Sequence, residues 1–174
     1  RYDAAQLAAP MATTEQIAQL MDRCGYDTLW LAEHHFQHEG YECIPNIPLL
    51  ATHLAGLTER LRFGCGFNVL PTWHPLRLAE DYAMADILTK GRVRMGVGRG
   101  YHSREVATLR HPEATDADAR DLFEEQVALL LTAMRNDSFS FDGRFYQVPP
   151  PDVPYRGYTL NEISLVPRPI HSTE

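Results

Sequence analysis

The chain has 174 residues, of which 44% are hydrophobic and 22% charged, and its formal net charge is -7 at pH 7. This composition is that of an ordinary globular domain with one sizeable core, and it excludes disordered and fibrous proteins. Because no basic run is present and no apolar run approaches the ~20 residues of a membrane span, we expect neither nucleic acid nor a membrane as partner, and we predict a cytoplasmic location.

The first part of the chain predicts alternating helices and strands. Thr13 and Gln16 have the spacing of a capping box and Gly25 that of a stop, so we predict a helix over 13–24. Because the chain starts at Arg1, without Met, and enters a helix almost at once, we expect that an N-terminal segment is missing. Further helices are predicted over 50–57 and from Pro75, and short strands over 27–33, 60–67 and 92–100. This alternation implies parallel strands joined by right-handed crossovers.

A weak internal repeat of 32 residues supports this interpretation. An Arg-x-Arg-x-Gly-x-Gly pattern occurs twice, at Arg60, Arg62, Gly64 and Gly66 and at Arg92, Arg94, Gly96 and Gly98. The repeat makes His34, Gly66 and Gly98 equivalent positions at the C-terminal ends of three successive strands. In parallel α/β folds and in (β/α)8 barrels the chemistry is placed at that rim.

After Tyr101 the pattern changes. A long helix is predicted over 116–134, and the stretch FSFDGRFYQV predicts a β-hairpin that turns at Asp142 and Gly143. The prolines that follow are too many for a central strand. We therefore interpret residues 136–174 as a hairpin and Pro-rich insertion that leads toward a missing strand.

Several reactive or polar side chains are expected to be structural. Cys24, Cys43 and Cys65 are an odd number without a C-x-x-C pair, so neither a disulfide framework nor a zinc motif is indicated. We expect reduced, mostly buried thiols. Trp73 and Tyr82 are interpreted as packing groups of the core or of a helix.

The stretch WLAEHHF contains the first candidate site. Its predicted strand ends in Glu33, His34 and His35, which a strand that only packs does not need. The two imidazoles point in opposite directions if the strand persists, and each is either a hydrogen-bonded structural group or a catalyst. A metal site built from His34 and His38 with Glu33 or Glu39 lacks the helical H-E-x-x-H spacing, so we expect no metal.

Two glycine-rich strand ends are further candidates. GVGRG, over 96–100, fits neither dinucleotide-binding nor P-loop spacing, yet a flat ligand could approach its backbone and Arg99 could bind a phosphate. The alternative is that the glycines admit neighbouring helices and that Arg99 forms a surface ion pair. In GCGFNVLP, Gly66 and Phe67 lie at the rim and Asn68 could hydrogen-bond a heterocycle, unless this segment is a bulge and turn.

Several stretches together resemble the luciferase-like flavin-dependent monooxygenases, the relatives of bacterial luciferase. The motifs E-H-H-F, L-P-x-x-H-P, A-E-D, K-G-R and G-x-G-R-G follow one another in this order between residues 25 and 109. The resemblance implies an α/β fold of the (β/α)8 TIM-barrel type that binds reduced FMN, or in some branches the deazaflavin F420, at its C-terminal mouth. Residues 1–174 would then form a single partial barrel domain, with strands 2–4, their flanking helices and the hairpin excursion.

The resemblance also implies roles for individual residues. His34 matches the active-site histidine that assists proton transfers at the flavin, and Arg99 matches the arginine that binds the flavin phosphate. Gly66 and Phe67 match a non-prolyl cis peptide beneath the flavin ring. Gly98 stands where luciferase has a reactive cysteine, so light emission is not implied. The predicted catalytic residue is His34, and the predicted cofactor-binding residues are Glu33, Gly66, Phe67, Asn68, Gly98 and Arg99.

The implied function is that of an oxidoreductase. It would take reduced flavin from a separate flavin reductase, activate O2 and oxidise a small organic substrate, as a homodimer when full length. The alternatives are a non-catalytic flavin-binding protein on a shortened barrel and an inactive fragment of the enzyme. The substrate, and the choice between FMN and F420, stay open.

Overall fold

The computed structural model describes residues 3–38 and 43–171, in which helices and strands alternate. The helices are α1 (Ala4–Cys24), α2 (Ile47–Ala55), α3 (Pro75–Thr89), α4 (Ser103–Leu109) and α5 (Ala119–Arg135). The strands are β1 (Thr28–Leu31), β2 (Arg62–Cys65), β3 (Asn68–Val69), β4 (Val93–Arg94), β5 (Val97–Gly98), β6 (Phe141–Asp142), β7 (Gln147–Val148), β8 (Pro154–Tyr155) and β9 (Tyr158–Thr159). Short 3-10 turns cover Leu70–Thr72 and Asp116–Asp118.

The central sheet is parallel. Strands β1, β2 and β4 lie side by side in that order, and β3 pairs in parallel with β5. Helix α2 connects β1 to β2, and helix α3 connects β3 to β4. The predicted α/β class with parallel strands is therefore confirmed, while the complete eight-stranded barrel stays a prediction.

The strand register differs from the 32-residue repeat. Leu31 of β1 pairs with Cys65 of β2, which is 34 residues later, whereas β2 and β4 pair residues that are 30 apart. The backbone N–H of Gly66 donates to the carbonyl of Leu31 (2.8 Å), so Gly66 is not level with His34. In β1, β2 and β4 each displacement from 32 is an even number of residues, so their side chains keep the face that the repeat predicts. Strands β3 and β5 pair residues that are 29 apart, an odd displacement, so the repeat does not predict their register.

Helix α1 begins earlier than the sequence pattern predicts. The Asp3 carboxylate accepts from the backbone N–H of Gln6 (2.7 Å), and the Gln6 side chain accepts from the N–H of Asp3 (3.0 Å). Thr13, the predicted cap, lies inside the helix, where its hydroxyl donates to the carbonyl of Ala9 (2.9 Å). A threonine that caps a helix and a threonine inside one cannot be told apart from the sequence, because inside a helix its hydroxyl bonds to a carbonyl one turn earlier. The predicted end at Gly25 is confirmed by a left-handed φ of 79°.

The second part of the chain contains two hairpins. Strands β6 and β7 form the predicted one, with Phe141 opposite Val148. Strands β8 and β9 form a second one, where the prolines predicted irregular chain. Pro154 is compatible with this two-stranded sheet because a proline on an edge strand need not donate a ladder hydrogen bond.

The core lies between the central sheet and the helices that pack on it. Its largest fully buried apolar side chains include Leu54, Leu61, Phe63, Leu78 and Leu129. Among the cysteines only Cys65 is buried, and Cys24 and Cys43 are exposed. The expectation of mostly buried thiols was therefore wrong, since Cys24 ends α1 and Cys43 precedes α2, both outside the core. Within the described ranges, no helix has the length and apolar character needed to cross a bilayer.

Candidate active site

Several of the predicted rim residues meet at the C-terminal ends of the parallel strands. A pocket of about 130 Å³ is lined by residues 32–34 after β1, residues 66–67 after β2, residues 100–102 after β5, and Glu105. His34, Gly66 and Phe67 are thus brought together as the sequence predicted. Convergent polar side chains at such strand ends are the usual composition of an active site in a parallel α/β fold.

A larger cavity of about 630 Å³ lies elsewhere, between α3, the strand end 93–97 and α5. Its walls are mostly apolar, with Val93, Met95 and Leu130 among them. Its one close pair of titratable side chains among the described residues joins His171 Nδ1 to Asp86 (3.0 Å). We assign the candidate site to the smaller pocket, because several titratable groups converge there.

A histidine and a buried glutamate form the centre of this pocket. Glu105 is 1% exposed, and its Oε1 lies 3.1 Å from His34 Nδ1 and accepts from the backbone N–H of His35 (3.0 Å). Burial raises the pKa of Glu105, but these hydrogen bonds outweigh it and the pKa lies below its ordinary value. An ionised carboxylate favours the His34 tautomer with its hydrogen on Nδ1, so Nε2 is the atom that can accept a proton.

A second buried carboxylate, Glu33, holds the segment that carries His34. Glu33 is 2% exposed. Its oxygens accept from the Trp73 indole (2.9 Å), the Thr72 hydroxyl (3.1 Å) and the Asn68 amide, and Oε1 lies 2.8 Å from His35 Nε2. These donors of the protein position Glu33 and its loop. Because Glu33 also lines the pocket, its contact with a cofactor stays a prediction.

The support behind Glu33 continues into the core. The Tyr82 hydroxyl donates to Asn68 Oδ1 (2.5 Å), and the Cys65 thiol contacts the same hydroxyl. Burial raises the pKa of Cys65 to about 12 and that of Tyr82 well above its ordinary value, so both groups stay protonated. Asn68 is fully buried with its amide engaged on both sides. Asn68 thus supports Glu33, while its contact with a heterocycle stays a prediction.

The Gly66–Phe67 peptide is cis, as the resemblance implied. The Phe67 ring is partly exposed at the pocket and lies against Gly98, where an added Cβ would be 2.4 Å from two ring carbons. Gly98 is not among the pocket-lining residues. Gly98 thus leaves room for the Phe67 ring, while its direct contact with a ligand stays a prediction.

Arg99 lies outside the pocket that contains His34. It lines a separate cleft of about 310 Å³ with Arg120, Phe123 and Glu124. Arg120 is bonded to Glu124 (2.7 Å). Over residues 3–38 and 43–171, no hydrogen bond or ion pair joins the exposed Arg99 to another residue. The cleft therefore offers one uncompensated cation to an anionic group.

Among the pocket residues that were not predicted from the sequence, His102 and Glu105 are the two that lie beside His34. The His102 ring lies 5.4 Å from that of His34 and 4.1 Å from that of Tyr101, measured between centroids. The available signal was an acidic residue in the first turn of the helix that follows the third strand end. That signal says nothing about which of many distant histidines the carboxylate meets.

Among the described residues, the ligand atoms of His34, His38 and Glu33 do not lie close enough together to form a metal group. His38 Nδ1 lies 3.2 Å from the guanidinium of Arg104. The positive charge of this guanidinium disfavours binding of a metal cation at His38. The Glu33 carboxylate is occupied by protein donors. Glu39 lies outside the described residues.

Known proteins are similar to this chain over most of its length. The family model for luciferase-like monooxygenases matches residues 2–172. The chain is 32% identical over 144 residues to the alkanal monooxygenase alpha chain of the Kryptophanaron alfredi symbiont, covering 82% of this chain and 39% of that protein. It is 33% identical over 134 residues to the oxygenase component of the flavin-dependent trigonelline monooxygenase of Acinetobacter baylyi, covering 77% and 36%.

A solved structure shows the same fold. It is the oxygenating constituent of 3,6-diketocamphane monooxygenase from Pseudomonas putida in complex with FMN. The TM-score is 0.73 at 24% identity, over 84% of this chain and 39% of that chain. The chain thus spans about two fifths of the length of the proteins that it matches.

Proposed function

Because the chain belongs to the luciferase-like monooxygenase family, we propose that it serves a flavin-dependent monooxygenase that oxidises a small organic substrate with O2. The observation that carries this proposal is His34 held by the buried Glu105 at the strand ends. The trigonelline relative is named as an oxygenase component, which supports a separate reductase as the source of reduced flavin.

The pocket residues fit one part of a flavin. Ala32, Gly66 and the partly exposed Phe67 ring give an apolar surface beside His34. A volume of about 130 Å³ holds an edge of a three-ring system but not all of it, since drug-sized ligands occupy about 300 Å³ or more. Arg99, in its own cleft, is suited to a phosphate or another anionic group. We propose FMN as the cofactor, with F420 as the alternative.

The protein's own part in the reaction is proton transfer and positioning. A bound reduced flavin supplies the electrons that activate O2. His34 accepts a proton at Nε2 and later returns it, while the ionised Glu105 stabilises the imidazolium that forms in between. Glu33 keeps the His34 segment in place through its bonds to Trp73 and His35.

The proposal is tested on the full-length gene product and on His34→Ala. Each is mixed without O2 with reduced FMN, and binding is measured by absorbance. O2 is then added with an aliphatic aldehyde or trigonelline, because the relatives are named for these substrate classes. We expect the variant to bind flavin and to oxidise the probe at least about 10²-fold more slowly than the unmodified protein.

The control is His53→Gln, which changes an exposed histidine paired with Glu15 (2.7 Å). Its oxidation rate should equal that of the unmodified protein. Absence of flavin binding, or an unchanged rate in His34→Ala, would overturn the site assignment. Flavin that binds in the oxidised state without any turnover would favour the non-catalytic flavin-binding alternative.

A further inference from the structure

Three side chains of the pocket have the composition of a transition-metal site. His34, His102 and Glu105 each offer a ligand atom, and these atoms all lie within 4.8 Å of one another. Two imidazoles and one carboxylate are the ligands of many sites for Zn²⁺ and similar divalent ions. Among the described residues, no other group of three histidine, cysteine or acidic side chains is this close.

The distances are close to those that a metal ion requires. With metal–ligand bonds of about 2.0 Å, two ligand atoms of a tetrahedral site lie about 3.3 Å apart. His34 Nδ1 and Glu105 Oε1 are already 3.1 Å apart. The His102 imidazole is half-buried, and a rotation of its ring would bring a nitrogen the remaining distance.

Glu105 also has an oxygen to spare. Both of its hydrogen bonds go to Oε1, and no described donor reaches Oε2. A carboxylate that is 1% exposed and lines a pocket with one oxygen unused is a strong ligand for a cation. The pocket of about 130 Å³ has room for an ion with two or three waters, at about 30 Å³ for each water.

We propose that His34, His102 and Glu105 bind one divalent transition metal ion of the Zn²⁺ type, with water in the remaining coordination positions. The site goes beyond the flavin chemistry proposed above and does not depend on it. An ion bound here would occupy His34, so the metal-bound and proton-transferring states of this histidine exclude each other.

The test uses the full-length gene product without flavin, so that its failure is separate from a failure of the proposed function. Co²⁺ is titrated in, and its visible absorption reports nitrogen and oxygen ligands in a low-symmetry site. We expect one Co²⁺ per chain, displaced by Zn²⁺. His102→Gln and Glu105→Gln should each weaken Co²⁺ binding by about tenfold or more.

The matched control is again His53→Gln, whose histidine has a carboxylate partner but no third ligand among the described residues. Its Co²⁺ affinity should be unchanged. Circular dichroism checks that each variant is folded. If Glu105→Gln does not fold, the Co²⁺ affinity of His102→Gln alone tests the proposal. Absence of saturable Co²⁺ binding, or equal affinity in His102→Gln and the unmodified protein, would overturn the proposal.

Discussion

His34 Nδ1 lies 3.1 Å from Glu105 Oε1, although the two residues are 71 positions apart in the chain. The strand ends after β1 and β5 bring them together, and the N–H of His35 donates to the same oxygen (3.0 Å). The buried carboxylate therefore orients both the imidazole and the backbone that carries it. If the proposed function is right, the two side chains act as one unit.

The first prediction concerns this pair. Glu105→Gln keeps the shape of the side chain but removes its charge, so it should slow oxidation of the probe substrate by about 10- to 100-fold. His34→Ala should slow the oxidation more than Glu105→Gln does. The double variant should be no slower than His34→Ala alone, because the role of Glu105 is exerted through His34. Single-turnover oxidation rates of the four proteins measure this, and additive losses would contradict it.

The second prediction concerns Arg99. Removal of its guanidinium in Arg99→Gln should weaken FMN binding by about tenfold or more, because a charge-assisted hydrogen bond is worth about 1.5–3 kcal/mol. Riboflavin has no phosphate, so its affinity should not change. Arg120→Gln in the same cleft should have a smaller effect, since Arg120 is already paired with Glu124. Equal losses for FMN and riboflavin in Arg99→Gln would show that Arg99 does not bind the phosphate.

The third prediction concerns the support of Glu33. Trp73→Phe removes the indole N–H that lies 2.9 and 3.1 Å from the two Glu33 oxygens. A hydrogen bond to a buried charged group is worth about 1.5–3 kcal/mol, so the free energy of unfolding should fall by about 2 kcal/mol. Trp30→Phe is the matched control because Trp30 is 61% exposed, and its cost should stay below about 0.5 kcal/mol. Urea unfolding of both variants measures the difference, and equal losses would contradict the proposed role.

The fourth prediction is a dependence of stability on pH. The Asp22 carboxylate accepts from the backbone N–H groups of Glu59 (3.0 Å), Arg60 (2.9 Å) and Leu61 (2.7 Å), where the chain enters β2. These bonds, that from Glu59 first, lower the pKa of Asp22 below its ordinary value of 3.8. The ionised group therefore contributes stability that is complete above pH 3.8 and is lost as the pH falls through the lower pKa of the folded state.

Asp22→Asn should cost about 1 kcal/mol at pH 7, because the site is partly exposed and solvent screens the charge. The cost should shrink when the pH falls below 3.8. Urea unfolding at pH 7 and pH 3 measures both values. Glu113→Gln, at an exposed carboxylate, should show neither the cost nor its change with pH. A cost of Asp22→Asn that is the same at both pH values would disprove the contribution of the charge.

Much of the architecture was predictable because its signals are local. The 3.6-residue spacing before Gly25 and the alternation of strands and helices depend only on neighbouring residues. The hairpin turning at Asp142 and Gly143 was predictable for the same reason. The start of α1 at Asp3 was not, since Thr13 satisfies the same capping pattern while lying inside the helix.

The candidate site was predictable only in part. The end of β1 offered His34 and His35, and the resemblance favoured His34 and identified Phe67 beside Gly66. The partners of a side chain, however, depend on the register of the strands. The number of residues between two strands does not fix which of their residues pair. The pairs separated by 34 and 30 residues, in place of 32, show how a repeat misses that register.

The sequence by itself determined that this chain is an α/β protein of parallel strands with His34 at one strand end. Only the tertiary structure decided which groups meet that histidine. Glu105 and His102 join His34, the buried Asn68 bonds to Glu33 in the pocket wall, and Arg99 faces a separate cleft. The physical reason is that strand and helix patterns arise from neighbouring residues, whereas hydrogen bonds to buried carboxylates arise between segments that only packing brings together.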